Sequence, residues 1–108
     1  MKIRKQNKHR NKPTYVDGIR FASKVEARRY CELKLLKKSG DVLWFIWQVP
    51  FVLSPDVRYY ADFLVVYREE GVVIEDVKGR ETDVFKIKKK LMKEVHGIDI
   101  KIIKYRRK

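Results

Sequence analysis

Two aspartates and one lysine lie within an apolar, strand-like stretch of the sequence between residues 59 and 79. Asp62 is surrounded by aromatic and aliphatic residues, and Asp76 and Lys78 interrupt a second apolar run at a spacing of two. Residues i and i+2 of a strand point to the same side, so Asp76 and Lys78 share one face. Two carboxylates beside an ammonium group can hold a divalent cation and a water molecule that attacks phosphate. The stretch therefore predicts hydrolysis of a phosphate ester.

The turn between the two runs decides whether Asp62 joins the other two side chains. A two-residue turn made of Glu69 and Glu70 needs positive φ at both glutamates and would place Asp62 on the opposite face. A three-residue turn ending in Gly71 puts glycine in the left-handed position and pairs Asp62 with Lys78. We therefore predict the three-residue turn, with all three charged groups on one face.

A cross-strand salt bridge is the alternative explanation for these charges. In that case Asp62, Asp76 and Lys78 only hold the hairpin together. An exposed ion pair contributes about 0–1 kcal/mol, which is a weak reason to place charges among apolar residues. The pattern favours catalysis.

The charge balance of the chain indicates a polyanionic partner. The 108 residues include 27 Lys+Arg and 14 Asp+Glu, a formal net charge of +13. Cationic side chains that contact phosphates release counterions, so nucleic acid is the expected partner. The alternative is a solvated basic surface with no partner. A predicted basic helix face and basic tails favour nucleic acid.

The remaining composition limits the class of protein. A chain of this length forms one domain, and a single cysteine, Cys31, excludes an intramolecular disulfide framework and fits a reducing compartment. We expect Cys31 to be a small buried residue on a helix. No apolar run is long enough to span a membrane, so we predict no membrane partner and a cytoplasmic location.

Local signals divide the chain into a basic arm over residues 1–13 and one domain over residues 14–108. Asp17-Gly18 predicts a small hairpin, and Ser23 begins a helix that ends near Ser39. A long strand follows, in which Pro50 predicts an edge or a bulge. After the central hairpin, a second helix begins near residue 82 or 83, and a last strand covers residues 98–103. The apolar residues expected to face the sheet from this second helix are Val84, Ile87, Leu91 and Val95, widened by Phe85 and Met92.

The order and spacing of several short motifs resemble the PD-(D/E)XK nuclease superfamily, particularly small phage and prophage proteins similar to Holliday-junction resolvases and transposon end-cleaving endonucleases. The resemblance implies an α/β fold with a restriction-endonuclease-like core of helix, three strands, helix and strand, here with a small N-terminal hairpin and basic tails. It covers residues 17 to 104. The motifs are Asp17-Gly18-Ile19-Arg20-Phe21, Ser23-Lys24-Val25-Glu26-Ala27, Gln48-Val49-Pro50, Tyr60-Ala61-Asp62-Phe63 and Glu75-Asp76-Val77-Lys78-Gly79.

The resemblance implies a Mg²⁺- or Mn²⁺-dependent DNA endonuclease in the cytoplasm of a bacterial host cell. Asp62 matches the first metal-binding carboxylate of the superfamily, and Asp76 and Lys78 match the acidic residue and the lysine of its name motif. The Val77 carbonyl is expected to complete the ligands, and Glu26 matches a glutamate that many members carry on the first helix. Ala61 replaces the proline of the name motif. Two opposed cuts would require a homodimer.

Several assignments remain open from the sequence alone. Glu26 is either a metal ligand or the second half of a helix capping box, and Gln48 either satisfies backbone groups near Pro50 or contacts the metal shell or DNA. Glu75 is expected to face away from Asp76 and to pair with a helix lysine. The residues expected to contact DNA are Gln48, Arg80, Lys86, Lys89, Lys90 and Lys93. The rival function is a non-catalytic DNA-binding module or a degenerate nuclease-fold subunit.

Overall fold

The computed structural model describes residues 12–106, so most of the predicted arm over residues 1–13 and the end of the basic tail lie outside it. The described chain is a mixed α/β structure with two helices, a four-stranded mixed sheet and a small two-stranded sheet. The elements are β1 (Thr14–Val16), β2 (Ile19–Phe21), α1 (Lys24–Ser39), β3 (Val42–Ser54), β4 (Val57–Tyr67), β5 (Gly71–Val77), α2 (Asp83–His96) and β6 (Lys101–Ile103).

The main sheet has the strand order β3-β4-β5-β6. The first three strands are antiparallel neighbours, and β6 joins β5 in parallel after the α2 crossover. Pro50 lies in β3, which is an edge strand, as its missing N–H requires. The backbone irregularity lies two residues earlier, where Gln48 adopts a φ of 56°.

Local signals fix the ends of the small hairpin and of both helices. Asp17 and Gly18 have φ values of 54° and 78°, as a two-residue turn between Val16 and Ile19 requires. The Ser23 side chain accepts a hydrogen bond from the Glu26 N–H and caps α1. The caps at the other helix ends are Gly40 after α1, Thr82 before α2 and Gly97 after α2. In residues 12–106, neither helix is long and apolar enough to cross a membrane.

The central hairpin differs in register from the prediction. Gly71, with a φ of 82°, pairs with Tyr67, whereas the predicted turn requires Asp62 to pair with Lys78. The register is shifted by two residues because the glycine enters the ladder and does not close the turn. A shift of two preserves the faces, since side chains alternate with period two. Continuing the observed register by one residue places Asp62 opposite Asp76.

Two apolar clusters fill the space on the two sides of the sheet. The cluster below α1 is buried around Phe21, Leu33 and Phe63. The cluster below α2 is buried around Phe85 and Met92. Each helix is therefore held against the sheet by its own core.

The orientation of α2 corrects the predicted apolar stripe. Phe85 and Met92 are buried, but Val84, Ile87 and Val95 are exposed at 61%, 60% and 49%. The helix is rotated so that its largest apolar side chains face the sheet, because burying them removes the most apolar surface from water. Cys31 is a second correction, since the structure places it at the surface and not in the core.

Candidate active site

A cleft of 290 Å³ brings the two predicted aspartates and the lysine together. β4 supplies Asp62, the end of β5 supplies Asp76, and Lys78 follows immediately. The first half of α2 forms the opposite wall. The residues that line the cleft are Tyr59, Tyr60, Asp62, Asp76, Lys78, Thr82, Val84, Phe85 and Lys88.

Asp76 is buried, with 2% of its surface exposed, and its two carboxylate oxygens have different surroundings. The Tyr59 hydroxyl donates a hydrogen bond to Oδ2. The Lys78 Nζ atom lies 3.1 Å from Oδ1, which is an ion-pair distance. That contact lacks hydrogen-bond alignment, however, and Oδ1 has no hydrogen-bond partner among residues 12–106. Asp76 therefore carries a buried oxygen that can still accept a ligand.

Asp62 lies half-buried at the point where the β4–β5 ladder ends. Its Oδ2 atom accepts a hydrogen bond of 2.8 Å from the Val77 backbone N–H. Burial and the negative charges of Asp76 and Glu26 raise the pKa of Asp62 to about 8, although the Val77 N–H and Lys78 act in the opposite direction. The carboxyl group is therefore protonated at neutral pH unless a cation offsets the neighbouring charges.

Glu26 lies in the first turn of α1, and the charges of Asp76 and Lys78 act on its carboxylate. Its N–H donates to the Ser23 side chain, so one half of the predicted capping box is present. The Oε1 atom is buried and makes no hydrogen bond within the described part of the chain. Burial and the charge of Asp76 raise the pKa of Glu26, while the Ala22 N–H and Lys78 lower it. The electrostatic influence of Asp76 and Lys78 shows that Glu26 belongs to the same charged cluster.

Lys78 is held between a carboxylate and an aromatic ring. Its side chain is 30% exposed, and its Nζ atom lies 4.5 Å from the centre of the Phe85 ring. The ring face and Asp76 both attract the ammonium group. The ammonium group thus stays at the mouth of the cleft, where a phosphate can reach it.

The charged cluster fits a hard divalent cation by its chemistry. In the region from residue 12 to residue 106, no group of three or more His, Cys, Asp or Glu side chains is already arranged to hold a metal ion. Mg²⁺ needs fewer protein ligands, because it commonly binds one or two carboxylates and keeps several waters. Two buried oxygens without hydrogen-bond partners, on Glu26 and Asp76, provide such ligands. Val77, the remaining predicted ligand, is adjacent and donates its N–H to Asp62.

The residues predicted to contact DNA lie outside the cleft lining. Gln48 and Arg80 are exposed, and among the helix lysines Lys86 and Lys90 are exposed and Lys89 is half-buried. The remaining lysine of this set, Lys93, is exposed and forms an ion pair of 3.0 Å with Asp99. The exposure of Gln48 favours an outward contact over satisfaction of buried backbone groups.

Lys88 lines the cleft and is missing from the predicted set. It lies three residues after Phe85 and four before Met92, and residues at these spacings share one helix face. The two largest apolar residues of α2, Phe85 and Met92, indicate this face in the sequence. Lys88 was missed because the predicted stripe of Val84 and Ile87 is centred on a different face.

Glu75 faces the other side of the sheet, as predicted, and its partner is an arginine in place of the expected lysine. The Arg29 guanidinium makes two hydrogen bonds to the carboxylate, of 2.9 Å and 3.0 Å. The Tyr67 hydroxyl donates to the same carboxylate. Burial acts to lower the pKa of Arg29, but the hydrogen bonds and charge of Glu75 outweigh it and raise that pKa further. Glu75 is therefore a structural residue.

The sequence matches a family of related proteins. A family model described as "Protein of unknown function (DUF1064)" matches residues 6–107, and the chain belongs to this family. Comparison with curated proteins and with solved structures found no match.

Proposed function

We propose that the protein is a Mg²⁺- or Mn²⁺-dependent DNA endonuclease with a restriction-endonuclease-like core. The observation that carries the proposal is the pair of buried carboxylate oxygens, on Glu26 and Asp76, that make no hydrogen bond within residues 12–106. Buried polar atoms in folded proteins are nearly always hydrogen-bonded, so these two indicate a missing ligand. The neighbouring lysine and the net charge of +13 favour a phosphate-bearing substrate.

The order of the elements supports the fold assignment. After the small hairpin, the chain runs through one helix, three antiparallel strands, a second helix and a parallel strand. The sequence resemblance implies the same order. Asp62 and Asp76 come from the second and third of those strands, and Lys78 follows two residues later. The name motif of the PD-(D/E)XK superfamily occupies the same elements.

The side chains divide the proposed hydrolysis between them. Asp62 and Asp76, with the Val77 carbonyl and Glu26, would hold the cation. When bound, the cation would lower the pKa of a coordinated water and offset negative charge on the phosphate. Lys78 would orient or deprotonate the attacking water and donate to the charged phosphate oxygens in the transition state.

The proposed products follow from the position of the bond that breaks. The water oxygen forms a new bond to phosphorus while the bond from phosphorus to the 3′ oxygen breaks. The leaving oxygen takes up a proton, which gives a 5′-phosphate and a 3′-hydroxyl. The resemblance to phage and prophage proteins implies a location in the cytoplasm of a bacterial host cell. Two opposed cuts would require a second copy of the chain.

The test is cleavage of labelled DNA by the whole chain. Linear duplex, flap and four-way-junction substrates are incubated with Mg²⁺ or with EDTA. We expect Mg²⁺-dependent nicking that Asp62→Asn, Asp76→Asn and Lys78→Ala each reduce by about 10²–10³-fold or more. Glu70→Gln, in the exposed β4–β5 turn, is the control that removes a carboxylate outside the cleft and keeps full activity.

The same assay separates the rival function, a non-catalytic DNA-binding module. The specific support for this function is the Lys78–Asp76 ion pair, in which the ammonium group offsets part of the Asp76 charge without a metal ion. If folded protein binds these DNAs and cuts none of them, the binding module replaces the nuclease. Full nicking by Asp76→Asn would remove the assigned site even if the protein is a nuclease.

A further inference from the structure

A second cleft lies between α1 and β3 and combines aromatic rings with lysines. Its volume is 510 Å³, which makes it larger than the 290 Å³ cleft around Asp62 and Asp76. Nothing in the proposed hydrolysis uses it. The residues that line it are Tyr30, Lys34, Lys37, Lys38, Phe45 and Trp47. We refer to it as the aromatic groove.

The floor of the aromatic groove is a cluster of three rings. The centres of the Tyr30 and Trp47 rings are 5.4 Å apart, and the two planes meet nearly at right angles, at 83°. Phe45 lies 6.1 Å from Trp47 and 5.8 Å from Tyr30. Tyr30 is buried, whereas Phe45 and Trp47 remain half-buried. Part of each of these two rings therefore stays open to the groove, and such rings are surfaces on which a nucleobase can stack.

The wall of the aromatic groove carries the positive charge. Lys34 is bound to Asp17, so its charge is already neutralised. Lys37 and Lys38, in the last turn of α1, are both exposed. Neither forms an ion pair with any residue in the described range 12–106. Two unneutralised ammonium groups beside exposed rings are the arrangement with which proteins bind single-stranded nucleic acid.

The aromatic groove and the charged cluster lie on opposite sides of the sheet. Trp47 pairs with Phe63, which follows Asp62, and consecutive residues of a strand point to opposite sides. Tyr30 follows Glu26 by four residues, which places both on the same side of α1. The aromatic groove is therefore a separate site from the cleft around Asp62 and Asp76.

We propose that the aromatic groove binds a single-stranded segment of DNA. Bases stack on Trp47 and Phe45, and their phosphates contact Lys37 and Lys38. A duplex keeps its bases paired and stacked on one another, so it cannot use the rings. This binding does not depend on the proposed hydrolysis. The preferred substrate then contains unpaired bases, as flaps and open junctions do.

Fluorescence of Trp47 tests the stacking directly. Trp44→Phe removes the other tryptophan, which is exposed on β3 and lies outside the aromatic groove. In EDTA, which prevents metal-dependent cleavage, a single-stranded oligonucleotide should quench Trp47 and bind about tenfold or more tightly than an abasic strand of equal length. Equal affinities for the two strands, or no quenching, would overturn the proposal because phosphate contacts alone would then explain binding.

A pair of double variants tests the lysines with matched loss of charge. Lys37→Gln with Lys38→Gln should reduce single-strand affinity about tenfold while leaving duplex affinity nearly unchanged. The control, Lys86→Gln with Lys90→Gln on α2, should lower both affinities by the same factor. Equal effects from the two double variants would overturn the proposal. Failure of the nuclease function appears differently, as intact single-strand binding with no cleavage.

Discussion

Glu75 and Asp76 are consecutive buried residues on β5, and their carboxylates point to opposite sides of the sheet. The two carboxylates differ in how fully they are hydrogen-bonded. Glu75 is 0% exposed, and both of its oxygens accept hydrogen bonds from Arg29. The Tyr67 hydroxyl adds a third donor. The Glu75 carboxylate is therefore fully hydrogen-bonded by protein groups.

The Asp76 side leaves part of its charge without compensation. Tyr59 donates to one oxygen, but the other has no aligned donor within residues 12–106. Two further carboxylates lie nearby: the charges of Asp76 and Glu26 raise the pKa of Asp62, and the charge of Asp76 raises the pKa of Glu26. A buried charged group with a purely structural role is expected to have all its hydrogen bonds, because a buried polar atom without a partner costs free energy. The contrast indicates that the Asp76 side is built to receive a ligand.

Removing each carboxylate charge in turn is the strongest test of this contrast. Glu75→Gln leaves Arg29 partly buried with its main partner neutralised, so we expect the free energy of unfolding to fall by about 3 kcal/mol or more. Asp76→Asn relieves repulsion from Asp62 and Glu26, so its effect should stay below about 1 kcal/mol. Urea unfolding in EDTA at pH 7 measures both. Equal losses in the two variants would remove the distinction between the two sides.

The raised pKa of Asp62 predicts a pH dependence of stability that only the cleft side produces. The folded-state pKa is about 8, against an ordinary value of 3.8. Between those values the folded chain holds a proton that the unfolded chain releases. Stability should therefore fall as the pH rises from about 4 to 8, by up to about 1.4 kcal/mol per pH unit.

Asp62→Asn should flatten this slope. Urea unfolding at pH 5, 6, 7 and 8 in EDTA measures the slope in the parent and the variant. Glu70→Gln, in the exposed turn of the central hairpin, is the control and should keep the parent slope. A parent protein that is most stable at pH 8, with the same profile in Asp62→Asn, would contradict the charge cluster.

A divalent cation should stabilise the cleft side and leave the other side unchanged. At ten times its Kd, Mg²⁺ bound only to the folded chain adds about 1.4 kcal/mol. Thermal unfolding with MgCl₂, compared with NaCl of equal ionic strength, measures this gain. We expect it in the parent and in Glu70→Gln, and we expect it to disappear in Asp62→Asn and Asp76→Asn. A gain that survives in both aspartate variants would place the cation elsewhere.

Those parts of the fold that depend on short-range chemistry could be predicted from the sequence. Asp17-Gly18 predicted its turn, and Ser23 predicted the start of α1. The grouping of Asp62 with Asp76 survived an error of two residues in register, because faces depend only on whether the shift is odd or even. The alternation of side chains therefore predicted which residues share a face more reliably than the predicted turn did.

Other features depend on competition between groups that are distant in the sequence. The rotation of α2 was decided by the packing of Phe85 and Met92 against the core, and the apolar period of Val84, Ile87 and Val95 indicated a different face. The rotation also brought Lys88 into the cleft. Gln48, with its left-handed φ, lies between Trp47 and Val49, which pair with β4 in one register, and no local signal in the sequence marks it.

Two tyrosines offer the finest comparison of the two sides, because each donates its hydroxyl to one of the buried carboxylates. Tyr67 donates to Glu75, and Tyr59 donates to Asp76. Replacing Tyr59 by phenylalanine removes one hydrogen bond to a charged group, whereas replacing Tyr67 removes two, because the Tyr67 hydroxyl also accepts a hydrogen bond from Arg29. Each such bond contributes about 1.5–3 kcal/mol. Of the two carboxylates, only that of Asp76 has an oxygen, Oδ1, without a hydrogen-bond partner within residues 12–106, to which a cation could bind.

The cost of Tyr59→Phe should therefore shrink when Mg²⁺ is present, while the cost of Tyr67→Phe should stay the same. By linkage, the Tyr59 variant should gain more stability from Mg²⁺ than the parent gains, since the cation replaces a lost donor as well as offsetting charge. Urea unfolding of the two variants and the parent, in EDTA and in saturating Mg²⁺, gives all the required differences. If both variants respond to Mg²⁺ as the parent does, then the cation does not act through Asp76. Asp76 would in that case be a buried structural charge like its neighbour Glu75.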